Sequence, residues 1–314
     1  MNRFETFDYA PKSELASFFN RIETDRSFYA PEKEKRPWDL QLFQWIFGIT
    51  ESLFPKKAQQ WGAELFFTPL KNSLSARERS LLQQAEVNYC HFDGEDLPIY
   101  TWKPESNPRG RVLVVHGWGG KSTDFYSFIS PLTQQGFEVV AFDGPAHGIS
   151  SKKQTSLPEL SSFLVDVAKK LKSVDVVIGH SLGGSVVFHA LQNGLLAKKL
   201  VIINNPAQPE GLMQSFLTRI NASAAVGNYI RNTIIHQFGS NFESLCSIST
   251  AEDCHIPTLV VHDKHDKEAP ILHMEALQPK LPQARYLVTE KLGHKRILRD
   301  NELIEHVLSF IEEV

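Results

Sequence analysis

From residue 86 to the C-terminus, short apolar runs alternate with helix-like stretches. We expect buried strands at 111–116, 137–142, 174–178, 200–203 and 258–262, with a weaker candidate at 285–288. Helices are predicted between them near 124–135, 158–171, 182–193, 271–281 and 297–312. Such alternation builds βαβ units and a mostly parallel central sheet flanked by helices. The runs 87–92 and 97–103 are predicted to form an antiparallel pair that leads into this sheet.

The first 85 residues differ from the rest of the chain, because 15 of its 33 Phe, Trp and Tyr residues lie in the first 70 positions. Apolar side chains at three- and four-residue spacing predict a helix with a buried face, formed by Trp38, Leu42, Trp45, Ile46, Ile49 and Leu53. Pro37 suits the first turn of this helix. The run from Ser75 to Glu78 is typical of a capping box. We predict that residues 1–85 are a helical extension packed on the core. The alternative is that this aromatic segment binds a partner or makes peripheral contact with a membrane.

A second segment, residues 206–255, separates two predicted strands by more than one crossover requires. It contains two amphipathic stretches, 212–220 and 226–238. Long excursions of this kind are often binding elements or lids. We therefore predict a small helical cap at 206–255, inserted into a core formed by residues 86–205 and 256–314. An ordinary pair of packing helices is the alternative.

The bulk composition excludes several classes of protein. The formal net charge is −3, and no basic run is interleaved with aromatic residues, so nucleic acid is not an expected partner. Three cysteines without metal-like spacing do not indicate a disulfide scaffold or a zinc site. The N-terminus lacks the apolar region of a secretory signal, and no apolar run is long enough to span a bilayer. A cytoplasmic location is the default expectation.

The sequence Gly179-His180-Ser181-Leu182-Gly183 lies between a predicted strand and a predicted helix. The spacing G-x-S-x-G in this context is typical of a sharp turn that exposes a nucleophilic serine at the N-terminus of a helix. Glycines fit because a Cβ would clash in the tight turn. Ser181 is therefore the candidate nucleophile, and a purely structural turn is the alternative.

A nucleophilic serine requires a general base and a carboxylate that orients it. In this class of fold the order along the chain is serine, acid, histidine. Asp266 lies in the loop after the strand at 258–262, and Asp263 is the competing candidate for the acid. His294 follows the last predicted strand, and Gly293 allows its loop to turn. We predict that Ser181, Asp266 and His294 are the catalytic residues.

Two backbone N–H groups are expected to form an oxyanion hole. Leu182 directly follows the nucleophile, and Trp118 lies in the glycine-rich loop after the strand that ends at His116. The Trp118 side chain is also a candidate for the wall of an acyl pocket.

Two stretches carry partial signals of other functions. Gly120-Lys121-Ser122 follows a strand as in a phosphate-binding loop, but Val115 occupies the position where that motif requires glycine. The set His262, Asp263, His265 and Asp266 is rich in possible metal ligands but lacks a zinc-hydrolase spacing. Neither a cofactor nor a metal is expected.

Several stretches together resemble the α/β-hydrolase superfamily, and bacterial esterases and lysophospholipase-like members in particular. They are 116–120, 142–150, 179–184, 262–270 and 293–294. The resemblance runs from about residue 86 to the C-terminus and does not explain the first 85 residues. It implies an α/β-hydrolase fold, in which residues 143–150 shape the floor of the site. A serine at position 181 does not fit the epoxide hydrolase and haloalkane dehalogenase branches, which carry aspartate there.

These observations predict a serine hydrolase that cleaves a carboxylic ester of a small molecule through an acyl-enzyme on Ser181. A carboxylesterase or a lysophospholipase-like enzyme is favoured. A thioesterase or amidase would use the same residues, and a non-catalytic binding protein on a hydrolase scaffold is the alternative from another class.

Overall fold

The computed structural model describes residues 4–6, 38–239 and 242–313. Nine strands of these residues form one sheet: β1 (Phe4–Thr6), β2 (Glu86–Phe92), β3 (Glu95–Trp102), β4 (Gly110–Val115), β5 (Phe137–Phe142), β6 (Val176–His180), β7 (Lys199–Ile203), β8 (Thr258–Asp263) and β9 (Arg285–Thr289). Their order across the sheet is β1–β9–β8–β7–β6–β4–β5–β3–β2. The six adjacent strands from β9 to β5 are parallel, and β1, β3 and β2 are antiparallel. The predicted mostly parallel sheet is confirmed.

The central strands are apolar on both faces. All residues of β5, β6 and β8 are buried, as are the last four of β4. Strands covered by helices on both faces carry continuous rather than alternating apolar runs, and β-branched residues pack well on a pleated surface. These physical requirements explain why the strands were visible in the sequence.

Helices cover both faces of the sheet. They are α1 (Trp38–Leu53), α2 (Pro55–Phe66), α3 (Ala76–Gln83), α4 (Tyr126–Gln134), α5 (Leu157–Leu171), α6 (Leu182–Gln192), α7 (Pro209–Ile220), α8 (Ala224–Phe238), α9 (Ser247–Thr250), α10 (Leu272–Leu277), α11 (Gly293–Arg296) and α12 (Asn301–Glu312). Helices α5 and α6 bury Phe163 and Phe188 on one face. Helices α4 and α12 bury Phe128 and Phe310 on the other.

Two helix starts show how capping sets the boundaries. The Ser75 hydroxyl accepts the amide of Glu78 at 3.3 Å, while the Glu78 carboxylate accepts the amide of Ser75 at 2.7 Å. This is the capping box predicted for α3. The helix predicted at 297–312 instead begins at Asn301, because the Asp300 carboxylate accepts the amide of Leu303 at 3.0 Å. Residues 297–299 form a separate 3₁₀ turn.

The prediction of a buried face on α1 is wrong. The six residues expected to form it are half-buried or exposed, and Trp38 and Trp45 are 78% and 65% exposed. The side of α1 that packs inward carries Phe43 and Phe47, whose rings lie 5.3 and 5.2 Å from that of Trp61 in α2. The helix has apolar side chains on two sides, and the sequence periodicity indicated the exposed side rather than the side that is buried. Pro37 lies outside the described residues.

Helices α7 and α8 lie in the long connection between β7 and β8 and pack on the N-terminal helices. Gly62 of α2 is so close to α8 that a Cβ there would lie 2.4 Å from Val226 Cγ1. The side-chain amide of Gln44 donates to the carbonyl of Arg219 at 2.8 Å. The two segments that interrupt the predicted core pattern therefore form one helical layer. No helix of the described ranges combines the length and apolar character that crossing a bilayer requires.

Candidate active site

Ser181 lies in the turn between β6 and α6 with φ +53° and ψ −129°. A non-glycine residue in this region is strained by about 1–3 kcal/mol and persists only where the surrounding structure fixes it. The flanking glycines allow the turn. A Cβ on Gly183 would lie 2.3 Å from the carbonyl oxygen of Val115, and one on Gly179 would lie 2.9 Å from the carbonyl oxygen of Gly183.

A continuous chain of hydrogen bonds joins the three residues singled out from the sequence. Ser181 Oγ lies 2.8 Å from His294 Nε2, and His294 Nδ1 lies 2.6 Å from Asp266 Oδ2. A carboxylate can only accept, so Nδ1 carries the proton and Nε2 is free to accept the serine hydroxyl. The side chains of His294 and Asp266 are 9% and 0% exposed. The arrangement is therefore nearly shielded from bulk water.

Asp266 is held as an anion in this setting. Burial raises the pKa of its carboxyl, but hydrogen bonding to His294 and the amide of Ala269 outweighs burial and holds the pKa below its usual value. Its second oxygen accepts the amides of Glu268 and Ala269 at 2.8 and 3.0 Å. An ionised carboxylate at this position fixes the tautomer of His294 and stabilises its protonated form.

Asp263, the competing acid, has different partners. One of its oxygens accepts the Thr289 hydroxyl at 2.8 Å and the Leu292 amide at 2.9 Å. The other accepts the amide of His265 at 3.0 Å. The buried carboxylate thus ties the acid loop to the segment that leads to His294. The geometry favours Asp266 over Asp263 as the partner of the imidazole.

Two residues that the sequence analysis did not single out hold the loop of His294. The Nε2 of His180 donates to the carbonyl of His294 at 2.8 Å. The side-chain amide of Asn204 donates to the carbonyls of Gly293 and His294, both at 3.3 Å, and its oxygen accepts the amide of Asp263 at 2.8 Å. Asn204 directly follows β7, and polar residues at the carboxyl ends of parallel strands are the available signal for such a role.

The proposed oxyanion donors lie next to Ser181. A Cβ on Gly117 would lie 2.9 Å from the Cβ of Ser181, so the loop that carries Trp118 touches the serine. Among the described residues, the backbone amides of Trp118 and Leu182 donate to no other group of the chain. Both donors are therefore available to a ligand.

Two buried histidines hold this loop in place. His116 Nδ1 donates to the carbonyl of Gly117 at 2.8 Å, and its Nε2 accepts the amide of Gly144 at 3.2 Å. His147 Nδ1 donates to the carbonyl of Pro145 at 2.9 Å, and its Nε2 accepts the amide of Gly119 at 3.0 Å. Each ring acts as donor and acceptor at once, which requires the neutral form.

The segment between α2 and α3 crosses the same loops. The amide of Thr155 donates to the carbonyl of Phe67 at 2.9 Å, and a Cβ on Gly119 would lie 3.0 Å from the carbonyl oxygen of Leu70. Leu70, Trp118 and Ile149 all carry exposed apolar side chains in these segments. The loops next to Ser181 therefore have an apolar exposed rim.

One further carboxylate approaches the catalytic candidates. Glu268 Oε2 lies 3.9 Å from His294 Nε2, and its side chain is 63% exposed. The exposed Lys295 follows His294 directly. Glu268 thus places a negative charge next to the nitrogen that faces Ser181.

The residues of the two competing sites have other partners. Lys121 pairs with Glu78 at 2.9 Å and donates to the carbonyl of Ser73 at 3.1 Å, so it does not extend towards a phosphate. His262 Nε2 donates to the carbonyl of Ala269 at 2.7 Å. The two aspartates have the partners described above, and no group of metal-ligand side chains is found in residues 38–239 and 242–313.

Comparison with known proteins supports the fold. A family model described as the alpha/beta hydrolase family matches residues 112–247, which include most of β4, all of β6 and the Ser181 turn. The esterase from Exiguobacterium antarcticum superimposes with a TM-score of 0.53 at 18% identity, covering 69% of this chain and 97% of the esterase. The chain has the α/β-hydrolase fold.

Curated relatives match this protein over about a third of its length. The monoacylglycerol lipase of Mycolicibacterium smegmatis is 27% identical over 113 residues, covering 33% of this chain and 40% of the lipase. The monoglyceride lipase of Homo sapiens is 25% identical over 126 residues, covering 38% of this chain and 42% of the lipase. The chain therefore spans less than half the length of either lipase.

Buried histidines are expected to make the stability of this protein depend on pH. Burial lowers the pKa of His147, His180 and His273 to about 3, whereas histidine in an unfolded chain titrates near 6.5. The unfolded chain therefore binds more protons in this range, and stability that is complete above about pH 6.5 is lost as the pH falls towards 3. We expect each histidine to lower the free energy of unfolding by on the order of 1 kcal/mol for each unit by which the pH falls in that window.

Urea unfolding at pH 7.5, 6.5, 5.5 and 4.5 measures this dependence. The variant His273→Gln removes one of these groups and should reduce the slope by on the order of 1 kcal/mol per pH unit. An unfolding free energy that is constant between pH 7 and pH 5 would show that these histidines are not held neutral.

Proposed function

We propose that this protein is a serine hydrolase that cleaves carboxylic esters through an acyl-enzyme on Ser181. The observation that carries the proposal is the hydrogen-bonded chain from Ser181 through His294 to Asp266, with distances of 2.8 and 2.6 Å. The strained turn at Ser181 and the match of residues 112–247 to an alpha/beta hydrolase family model support it.

The proposed reaction follows from the donors and acceptors. His294 Nε2 accepts the proton of the Ser181 hydroxyl as Oγ attacks the ester carbonyl, and Asp266 stabilises the imidazolium that forms. The same nitrogen then gives the proton to the departing alcohol oxygen. Water, deprotonated by His294, then attacks the acyl carbonyl. The bond between the acyl carbon and Ser181 Oγ breaks, His294 returns the proton to Oγ, and the acid is released.

The amides of Trp118 and Leu182 are the proposed donors to the oxyanion. Both are unused within the described chain, and α6 begins at Leu182, so its dipole adds positive potential at the same point. His116 and His147 hold the Trp118 loop before a substrate arrives, which reduces the reorganisation needed in the transition state.

We propose an acylglycerol as the substrate class. The relatives named monoacylglycerol and monoglyceride lipase motivate the class. The apolar rim of Leu70, Trp118 and Ile149 suits an acyl chain. The carboxylate of Glu268 lies beside the nitrogen that protonates the leaving group, so it favours an uncharged hydroxyl-rich group over an anionic phosphate.

We further propose that α7 and α8, within residues 206–255, cap the core formed by 86–205 and 256–314. In this division the N-terminal helices within residues 1–85 pack on the cap as well as on the core. The contacts of Gly62 with Val226 and of Gln44 with Arg219 support a shared layer.

The experiment that tests the function compares matched substrates. We expect the largest kcat/KM for a monoacylglycerol, with smaller values for a thioester and an amide of the same acyl chain. A lysophosphatidate with the same acyl chain should have a smaller kcat/KM than the monoacylglycerol. The variant Glu268→Gln should reduce the ratio of these two kcat/KM values about threefold to tenfold. Glu290→Gln, which removes an exposed carboxylate paired with Lys264, is the control.

Each outcome bears on a separate part of the proposal. Preference for the thioester or the amide would assign the site to another acyl group. If Glu268→Gln and Glu290→Gln reduce the ratio of the two kcat/KM values equally, Glu268 has no specific role in selecting the leaving group. Failure to turn over any of these compounds would favour a non-catalytic binding protein.

A further inference from the structure

The outward side of α1 is an apolar surface of seven side chains. We call it the α1 face, formed by Trp38, Leu42, Trp45, Ile46, Ile49, Leu53 and the adjoining Phe54, all of them 40–78% exposed. The first six follow the three- and four-residue spacing of one helix side. The helix has 16 residues, so the face runs for roughly 24 Å along the surface.

Among the residues that the structure describes, the packing of α1 does not use this face. Phe43 and Phe47, on the opposite side of α1, supply its packing against Trp61, and Glu51 hydrogen-bonds to the amide of Ser223 at 3.2 Å. Exposed contiguous apolar patches are uncommon on monomeric proteins and mark interaction sites. A surface with seven exposed apolar side chains is therefore expected to bind another molecule or a lipid surface.

The chemistry of the α1 face favours a lipid surface. Tryptophan prefers the boundary between headgroups and acyl chains, and Trp38 and Trp45 are the two most exposed aromatic side chains of the face. Lys56 and Lys57 are exposed beside Phe54, and the Lys57 ammonium lies 5.4 Å from the Phe54 ring centroid. Lysines that flank an apolar helix face add attraction to anionic lipids. A protein partner would not require this combination.

We propose that the α1 face docks on the surface of an anionic lipid bilayer, with the helix lying in the plane of the interface. Helix α1 packs on α2, and the chain after α2 crosses Gly119 beside Ser181. In the docked state we expect the candidate active site to lie near the surface that would hold an acylglycerol. This use of the docked state rests on the proposed function, whereas the docking itself does not.

The test measures binding to vesicles of phosphatidylcholine and phosphatidylglycerol by co-sedimentation. The variant Trp45→Glu/Ile49→Glu should bind at least tenfold more weakly than the wild type, and binding should fall as salt increases. The control Val87→Glu/Leu196→Glu makes the same charge change at two apolar positions away from α1, which are 42% and 80% exposed. It should bind as the wild type does. Circular dichroism and thermal unfolding check that both variants are folded.

Two further measurements separate the explanations. Ser181→Ala should bind vesicles like the wild type, so docking is tested even if the protein hydrolyses no ester. Light scattering without lipid tests a second copy of the chain as the occupant. A wild-type dimer that the Trp45→Glu/Ile49→Glu variant converts to a monomer, without vesicle binding, would overturn the proposal. Wild-type protein that stays in the supernatant, or equal loss in both double variants, would overturn it as well.

Discussion

Ser181→Ala is expected to abolish ester hydrolysis, with kcat falling by about 10⁵–10⁶. The hydroxyl is the atom that would form the acyl-enzyme, and alanine leaves His294 Nε2 without the proton donor that lies 2.8 Å away. The same variant should not be labelled by a fluorophosphonate, which reacts covalently with an activated serine. Alanine keeps the Cβ of serine and bears the same backbone strain in the turn, so the variant should remain folded. Steady-state kinetics and mass spectrometry of the labelled protein measure the two effects.

A nearby serine provides the matched control for this experiment. Ser185 lies one helical turn further along α6 and donates to the side chain of Asn205 at 2.8 Å. Ser185→Ala should lose about 1–3 kcal/mol of stability and retain labelling. Labelling that persists in Ser181→Ala, or that is found on another residue, would refute the assignment of the nucleophile.

Asp266→Asn is expected to lower kcat by about 10⁴ with little change in structure. An asparagine can present an N–H where the carboxylate accepted one, so it would stabilise the wrong tautomer of His294 and would no longer balance the imidazolium charge. The amides of Glu268 and Ala269 would still find an acceptor in the amide oxygen. The expected loss is therefore one of rate rather than of folding.

Asp263→Asn distinguishes the two acids of the same loop. Asp263 accepts the Thr289 hydroxyl and the Leu292 amide with one oxygen, so the substitution should lower the unfolding free energy by about 1–3 kcal/mol. Its effect on kcat should be much smaller than that of Asp266→Asn. Kinetics and urea unfolding on both variants give the comparison. The reverse pattern, with Asp263→Asn losing the greater share of kcat, would reassign the acid.

Much of the fold could be predicted because its signals are local. A parallel strand buried on both faces needs a continuous apolar run, and β5 and β8 carry one. The turn at Ser181 needs small residues at fixed offsets on both sides, which made it recognisable between a strand and a helix. The order of Ser181, Asp266 and His294 along the chain reflects the order of the parallel strands that carry them.

The parts that could not be predicted depend on contacts between distant segments. Periodicity showed that α1 has an apolar side, but only the position of Trp61 in α2 decided that Phe43 and Phe47 face inward. The roles of His180 and Asn204 arise because β6 and β7 end beside the loop of His294. Local sequence spacing does not predict these hydrogen bonds, because the residues they join are separated by about 90 to 114 positions.

The contact of Phe67 and Leu70 with the site loops matters for anyone who shortens this protein. A chain cut at residue 86, where the hydrolase pattern begins, would lose the carbonyl that accepts the Thr155 amide and the backbone that lies against Gly119. It would also lose the contact between α2 and Val226, and the buried side chains of α8 would become exposed to solvent. We therefore expect a stable fold to require more of the chain than the residues that carry the hydrolase sequence pattern. Truncation series should start upstream of α1.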